Sequence, residues 1–429
     1  QLIYWQKYRN ILGMILIIKI DTNSIERWDE IINKHRNYIK DILNCNINKI
    51  MSNTDLIYLF TGINNNESIE NAILEELIKC NIVNDIALGK KENWKEYINR
   101  FEKLYKDNRV IIEFLKSKSN KENIISNLSK KLNKKKYKND INKLSKLIEN
   151  EELGKINKEQ KIQIISKDNS LNKKYNNYIE INEILREVFN YENFQNGIKE
   201  WNRNELLFEM DIRVCPYCNR QYITKYKEKR NNKSTADLDH FYPQSKYPFL
   251  ALSLYNFVPS CQICNRNFKN ASDKELLYPY EEEFDDKDLQ YKFRTEFDNN
   301  YDFTYLLGEN INFNLKIDTT INNIDCAKKE RAKNSKEIFK LEEVYEEHKN
   351  KIKDIIKDFY YYNNIWQCEI KNLFDNINNK SNLLFNEYTI EDLYLGKYLN
   401  IKSNNQDVLS KLISDIVDEI KEKDSNYEK

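Results

Sequence analysis

The stretch that decides the fold of this chain is bounded by CPYC at residues 215–218 and CQIC at residues 261–264. Two Cys-x-x-Cys pairs in one chain can supply four thiolates at the corners of a tetrahedron, which is the closed coordination of structural zinc. A redox role is disfavoured because neither pair lies in the pattern of a βαβ unit. We therefore predict a zinc ion that holds structure and performs no chemistry, with four ligands: Cys215, Cys218, Cys261 and Cys264.

The residues between and just after these pairs include an acidic residue, a histidine and two asparagines. Asp239 and His240 end a predicted short strand within the segment TADLDHFYP. Asn256 follows further along, and Asn265 comes directly after the last cysteine. A neutral imidazole can activate a water molecule for attack on a phosphodiester. Carboxylate and amide oxygens suit Mg²⁺ or Mn²⁺, which can stabilise the transition state. This set of residue types indicates a hydrolytic metal site.

Residues 210–270 resemble the HNH endonuclease family, whose nuclease module has the ββα-metal fold. The resemblance lies in the Asp-His pair, the middle Asn and the polar residue after the second cysteine pair, and it covers about 60 of the 429 residues. The last residue of the family motif is usually His. This chain has Asn265 there, so it resembles the HNN variant, and an oxygen ligand replaces an imidazole.

The resemblance implies a role for each of the four residues. His240 is expected to be the general base, and Asp239 and Asn265 are expected to hold the catalytic Mg²⁺ or Mn²⁺. Asn256 would brace the loop that presents His240. The implied activity is metal-dependent hydrolysis of DNA. Two alternatives stay open: an RNase of the same fold, and a non-catalytic zinc module that binds nucleic acid or a partner protein.

The flanks of this stretch resemble, more loosely, HNH proteins encoded beside ATPases in bacterial anti-phage systems such as Septu. The similarity lies in CPYCNRQY at 215–222 and FKLEEVYEEHK at 339–349. It implies a role in defence, a cytoplasmic location and an ATPase-type protein partner. A Walker-type phosphate loop does not occur in the sequence, so any nucleotide control is expected to come from that partner.

The whole chain is predicted to be α+β, a mostly helical chain around a central ββα-metal (HNH) nuclease module stabilised by the four-cysteine zinc site. Only 7 glycines and 5 prolines favour long helices over turn-rich sheets. Residues 1–200 form a mainly helical N-terminal region, 201–275 the zinc-bound nuclease module, 276–320 short strands and loops, and 321–429 a helical C-terminal region. One predicted helix has an apolar face formed by Trp94, Tyr97, Ile98, Phe101, Leu104 and Tyr105.

The net charge of +1 does not indicate a nucleic-acid binder, so such a function must depend on local patches. One basic stretch, Arg220 to Lys233, lies beside the candidate site and contains two tyrosines, Tyr222 and Tyr226. It is either a grip for phosphates or a solvated loop. Arg266 and Lys269 are further candidates for phosphate contacts.

Several residues outside the central stretch carry structural predictions. The apolar run Ile11 to Ile18 is too short to span a bilayer and is interpreted as a strand that opens the fold. The apolar stripe from Val408 to Ile420 is buried either in the core or by a partner. His35 is expected at the surface. The four remaining cysteines are expected to be buried thiols, namely Cys45, Cys80, Cys326 and Cys368.

Overall fold

The computed structural model of the chain describes residues 19–63, 69–105, 180–270, 272, 274–297, 303–319, 321, 325–361 and 407–427. Within these residues it combines α-helices with three antiparallel sheets of two strands each, which confirms the α+β class. The predicted opening strand at Ile11 to Ile18 lies outside the described residues, and so does Cys368. In the described part of the chain, no helix is both long and apolar enough to cross a membrane.

The chain forms two compact units. Unit 1 contains residues 1–31, 195–241 and 257–429, and unit 2 contains residues 32–194 and 242–256. The segment 242–256 lies inside the predicted nuclease region but belongs to unit 2.

Unit 2 is built from helices. The predicted apolar face of one of them is confirmed at Trp94, Tyr97 and Phe101, which are buried, whereas the side chains of Leu104 and Tyr105 lie outside the described residues. Asn53 begins another helix by accepting hydrogen bonds from two backbone N–H groups, and Gly62 ends it with a φ of 75°, which glycine adopts without strain. The helices are α1 (Trp28–Met51), α2 (Thr54–Thr61), α3 (Asn71–Asn81), α4 (Lys91–Tyr105), α5 (residues 180–188) and α6 (Tyr191–Gln195).

His35 lies in the core of unit 2, so the prediction of a surface position is wrong. Its Nε2 donates a hydrogen bond to the carbonyl oxygen of Leu252, with the two atoms 2.8 Å apart. Its ring packs near those of Tyr38 and Phe194. Burial lowers the pKa of His35 from 6.5 to about 4. The side chain is therefore a neutral core residue at physiological pH.

Unit 1 contains the strands and the remaining helices. β3 pairs with β4 so that Asp239 lies opposite Val258 and His240 lies opposite Phe257. The strands are β1 (Lys225–Glu228), β2 (Asn231–Ser234), β3 (Asp237–His240), β4 (Phe257–Ser260), β5 (Tyr291–Phe297) and β6 (Phe313–Thr319). The helices are α7 (Arg203–Met210), α8 (Ile263–Lys269, with π-type hydrogen bonds), α9 (Cys326–Ile338), α10 (Leu341–Tyr345), α11 (Lys349–Tyr361) and α12 (Ser410–Tyr427).

The hairpin of β5 and β6 has carboxylates where a third strand would pair with β5. The N–H of Phe293 donates to Asp415 Oδ2 at 2.7 Å, and the N–H of Thr295 donates to Glu419 Oε2 at 3.0 Å. Residues four apart on a helix are separated by about 6 Å along its axis, and residues two apart on a strand by about 6.7 Å. The spacing of the two carboxylates on α12 therefore matches the spacing of the two outward N–H groups on β5.

The outer edge of β6 is covered in the same way by a different part of the chain. The N–H of Ile317 donates to Glu342 Oε1 at 2.8 Å, and the N–H of Leu315 donates to Glu346 Oε1 at 3.3 Å. These carboxylates are again four residues apart. Acidic side chains thus satisfy both edges of the two-stranded sheet, which would otherwise expose unpaired backbone groups.

The apolar stripe of α12 is buried within the chain itself, at Leu412, Ile413, Ile416 and Val417. Of the two alternatives for this stripe, burial in the core or burial by a partner, the structure confirms burial in the core. Lys411 is also buried and forms ion pairs with Asp285 and Asp415. Burial opposes the charge of Lys411, but the two carboxylates outweigh it and raise its pKa. Burial raises the pKa of Asp415 to about 7, although Lys411 acts in the opposite direction.

Three of the scattered cysteines do not match the prediction of buried thiols. Cys45, Cys80 and Cys326 are exposed. Cys45 and Cys80 lie on the outer faces of amphipathic helices, and Cys326 is the first residue of α9. Their positions in helical patterns did not reveal which face of the helix each one occupies.

Candidate metal centre and hydrolytic site

The two Cys-x-x-Cys pairs form one buried cluster. The sulfur atoms of Cys215, Cys218, Cys261 and Cys264 all lie within 4.8 Å of one another. Four sulfurs around a zinc ion at about 2.3 Å would be separated by about 3.8 Å. The backbone N–H of Cys264 points to Cys261 Sγ at 3.4 Å, an orientation that stabilises a thiolate. The cluster could therefore hold a metal such as zinc.

The thiols do not ionise alike. Burial raises the pKa of Cys215, hydrogen bonds from the other three cysteines raise the pKa of Cys264, and hydrogen bonds from Cys215 and Cys218 lower the pKa of Cys261. Four thiolates at this spacing would repel one another strongly, because burial reduces the screening of their charges. A divalent cation would supply the opposing charge that lets all four sulfurs ionise together.

The first cysteine pair and the residue that follows it contact distant parts of unit 1. The carbonyl oxygen of Cys218 accepts a hydrogen bond from Tyr345 Oη at 2.6 Å. The ring of Tyr217 stacks on that of Phe339, with ring centres 4.6 Å apart. Asn219, which follows the pair directly, is fully buried. The cysteine cluster is thus joined to the C-terminal helices, which are far from it in sequence.

Asn219 caps the start of α12. Its Oδ1 accepts hydrogen bonds from the backbone N–H of Lys411 at 3.1 Å and from Ser410 Oγ at 3.2 Å. Its own carbonyl oxygen accepts from the N–H of Leu409 at 2.7 Å. Asparagine is a preferred residue for satisfying the free N–H groups of a helix start. Here it does so from a distant part of the sequence, and its φ of 47° lies in the left-handed region that asparagine tolerates.

The carboxylate of Asp239 is buried and already has two partners. Tyr217 Oη donates to Asp239 Oδ2 at 2.6 Å. Lys269 Nζ lies 3.0 Å from the same oxygen and also donates to the carbonyl oxygen of His240 at 2.8 Å. Burial, followed by the charge of Asp239, raises the pKa of Tyr217, so the phenol stays protonated and remains a donor. Lys269 is buried too, so this candidate for a phosphate contact does not lie at the surface.

Asn265 lies beside a different carboxylate from the one predicted for it. Its Nδ2 donates to Asp237 Oδ2 at 3.2 Å. Arg266 holds the same carboxylate with two hydrogen bonds of 2.7 and 2.8 Å. Asp237 and Asp239 are two residues apart, so both project from one face of β3. The structure therefore pairs Asn265 with Asp237 and Asp239 with Lys269.

His240 ends β3 and is largely buried. Its ring meets that of Phe257 edge to face, with centres 5.3 Å apart. The same register places His240 opposite Phe257 in the sheet. The backbone of this residue is fixed by Lys269, whose ammonium group binds both its carbonyl oxygen and the carboxylate of Asp239.

Asn256 lies in unit 2 and closes the loop between residues 242 and 256. Its Oδ1 accepts a hydrogen bond from the N–H of Tyr242 at 2.7 Å. Its Nδ2 donates to the carbonyl oxygens of Tyr242 and Leu250 at 3.1 and 3.0 Å. A single buried amide therefore joins the two ends of the loop.

Neither partner of the Asp239 carboxylate was predicted from the sequence. Tyr217 lies inside the first cysteine pair, and Lys269 lies four residues after Asn265 in the helix that follows the second pair. The position of Tyr217 between two cysteines of the cluster was a usable signal, because a residue inside such a loop is held close to the sulfur atoms. Lys269 looked like a surface cation, and its burial was not readable from the sequence.

Comparisons of the chain with protein-family models, with curated proteins and with solved structures find no match. The function is therefore inferred from the residues of the site and from their chemistry.

Proposed function

We propose that this chain is a metal-dependent endonuclease of the HNH type that hydrolyses phosphodiester bonds of DNA. The observation that carries the proposal is the connection between the thiol cluster and the candidate residues. Cys261 directly follows β4, which pairs with the strand of Asp239 and His240, and Cys264 lies in α8, the helix that carries Asn265. A metal bound by the four thiols would fix the distance between hairpin and helix.

We assign zinc to the four thiols in a structural role. Four protein ligands leave no coordination position open for water or substrate. The chemistry must then be performed by the neighbouring polar residues. The hairpin and the helix on which these residues lie are held together by the cluster, so removal of the metal is expected to disrupt them.

In the proposed reaction, the imidazole of His240 takes the proton from the attacking water. Asp239 and Asn265 would bind Mg²⁺ or Mn²⁺, which stabilises charge on the scissile phosphate and its leaving oxygen. The residue types suit such an ion, because carboxylate and amide oxygens are the ligands it prefers. A cation at Asp239 competes with the ammonium group of Lys269 for the same carboxylate. Asp237, next to Asn265, is a further oxygen donor.

Asn256 would act on His240 indirectly. It ties the backbone of Tyr242, two residues beyond His240, to the far end of the loop. In this role Asn256 restricts the chain that follows the general base and does not touch the substrate.

The pair of Lys269 and Asp239 favours a second candidate, a zinc module that binds nucleic acid or protein without catalysis. A carboxylate that is already neutralised by a buried ammonium group has less affinity for a metal ion. This alternative predicts binding of DNA with no cleavage under any metal condition.

We further propose, from the resemblance of the flanks, that the protein acts in bacterial anti-phage defence in the cytoplasm with an ATPase-type partner. The apolar stripe of α12 gives no support to this partner, because the chain itself buries it. Co-purification from cells that express the native operon tests the association, and recovery of the chain alone would contradict it.

The deciding experiment is cleavage of plasmid DNA, with RNA in parallel, in Mg²⁺, in Mn²⁺ and with EDTA. We expect DNA cleavage that requires a divalent ion and falls by about 10²–10⁴-fold in His240→Ala, the usual contribution of a general base. Asn265→Ala should also lose activity, whereas Asn267→Ala, an exposed site on the same helix, should keep it. Cleavage at the wild-type rate by His240→Ala would contradict the mechanism.

A further inference from the structure

The basic stretch that follows the first cysteine pair in the sequence forms a two-stranded ribbon. β1 and β2 pair from Lys225 opposite Ser234 to Glu228 opposite Asn231. Between residues 220 and 234 there are six cationic side chains and one acidic side chain, whereas the whole chain has a net charge of only +1. All four residues of β1 are exposed. The ribbon therefore concentrates positive charge in one exposed element of unit 1.

One face of the ribbon contacts helix α7 of unit 1. The ammonium groups of Lys225 and Lys227 lie 4.9 and 5.6 Å from the centre of the Phe208 ring in α7. Lys225 also pairs with Asp211 at 2.9 Å. On β2, Asn232 donates a hydrogen bond to Glu205 of α7. Residues two apart on a strand share a face, so these contacts identify the inner face of the ribbon.

The other face and the tip point away from α7. Tyr226 lies between the two inner lysines and opposite Lys233, so these two side chains share the outer face. Tyr226 is 47% exposed. Lys229 and Arg230 form the two-residue turn at the tip, and both are exposed. Among the described residues, neither of them forms an ion pair.

Lys229 occupies a backbone position that does not favour lysine. Its φ is 56°, in the left-handed region where glycine or asparagine is ordinarily found. A non-glycine residue in such a position costs on the order of 1 kcal/mol. The cation at the tip is therefore not explained by the stability of the turn.

We infer that this ribbon is a DNA-binding element that places its tip and outer face against the phosphates of a duplex. A two-stranded antiparallel ribbon fits the major groove of B-form DNA, which is about 12 Å wide, whereas the major groove of A-form RNA is too narrow to admit it. Lys229, Arg230 and Lys233 supply phosphate contacts, and Tyr226 offers an apolar surface to the sugars. The inference rests on the proposed function only for the choice of nucleic acid as the partner.

The test compares two double variants of the full chain that remove equal charge. In Lys229→Gln/Arg230→Gln we expect the affinity for a fluorescent DNA duplex to fall about tenfold near 0.15 M salt, with a salt slope about two smaller. Lys225→Gln/Lys227→Gln, on the inner face, should change the affinity less than threefold. Binding is measured by anisotropy without added Mg²⁺ or Mn²⁺, so that cleavage does not contribute.

Equal losses in the two double variants, or none in either, would overturn the inference. Tighter binding of an RNA duplex of the same sequence would overturn the choice of DNA. The single variant Lys229→Gly should weaken binding while leaving the melting temperature unchanged or higher, which a merely structural lysine would not do. Because these readouts involve no cleavage, an inactive wild-type protein would refute the proposed nuclease and leave the ribbon result standing.

Discussion

Lys269 Nζ lies 3.0 Å from Asp239 Oδ2, and the two residues are only 3% and 4% exposed. The pair joins the end of α8 to β3, the strand that carries the predicted general base His240. Such a pair is stable only if its remaining donors and acceptors are satisfied. Tyr217 and the carbonyl oxygen of His240 satisfy them here.

Substitution of Lys269 by methionine should therefore destabilise unit 1 by about 3–5 kcal/mol, because it leaves a buried carboxylate without its opposing charge. The measurement is urea unfolding of the full chain. The double variant Asp239→Asn/Lys269→Met removes both charges. Its free energy of unfolding should therefore fall less than that of the single Lys269 variant. If the double variant were the less stable of the two, the electrostatic account of this pair would be incorrect.

Replacement of any one cysteine of the cluster by serine should abolish stoichiometric zinc and unfold the hairpin and helix around it. The reason is that the free energy of binding a structural metal is largely free energy of folding. Elemental analysis and thermal unfolding provide the measurement. Cys326→Ser is the matched control, because this exposed cysteine lies outside the cluster. Purified wild-type protein that is folded and free of metal would contradict the assignment.

The stability of unit 2 should fall as the pH drops from about 6.5 to about 4, in part because of His35. In this window the unfolded chain binds a proton at His35, whereas the folded chain does not, since burial lowers the pKa of His35 to about 4. Over this pH window, the contribution of His35 lowers the free energy of unfolding by about 3 kcal/mol. His35→Gln should flatten the pH dependence of the unfolding free energy relative to wild type. Parallel curves for the two proteins would show that His35 does not contribute.

Glu342→Ala should destabilise unit 1 by about 1.5–3 kcal/mol, because the backbone N–H of Ile317 loses its charged acceptor. Glu343→Ala changes the next residue of the same helix, which is exposed, and should alter stability by less than about 0.5 kcal/mol. Chemical denaturation of both variants provides the comparison. Similar losses in the two would mean that helix propensity, and not coverage of the strand edge, governs the effect.

The sequence predicted best where spacing alone carries the information. Cys-x-x-Cys spacing correctly predicted that four distant thiols lie together, and β5 and β6 lie in the region 276–320 that was predicted to form short strands. The sequence could not show that the side chain of Lys269 points into the core. A lysine near a helix end has the same sequence pattern whether it is solvated or forms a buried ion pair. His35 was misplaced because the sequence did not show that its side of α1 packs into the core. Pairings such as Asn265 with Asp237 depend on side-chain directions that only the folded backbone determines.

The coverage of β5 by α12 affects how the protein is made. The two strands of the hairpin are complete once residue 319 has been synthesised, and Glu342 and Glu346 follow soon after. Asp415 and Glu419, which cover the other edge, are added about a hundred residues later. At 5–20 residues per second, a nascent chain spends roughly 5–20 s with the outer N–H groups of Phe293 and Thr295 uncovered. During that interval the strand can pair with a neighbouring nascent chain, so the period of risk for aggregation ends only when α12 has been synthesised and covers β5.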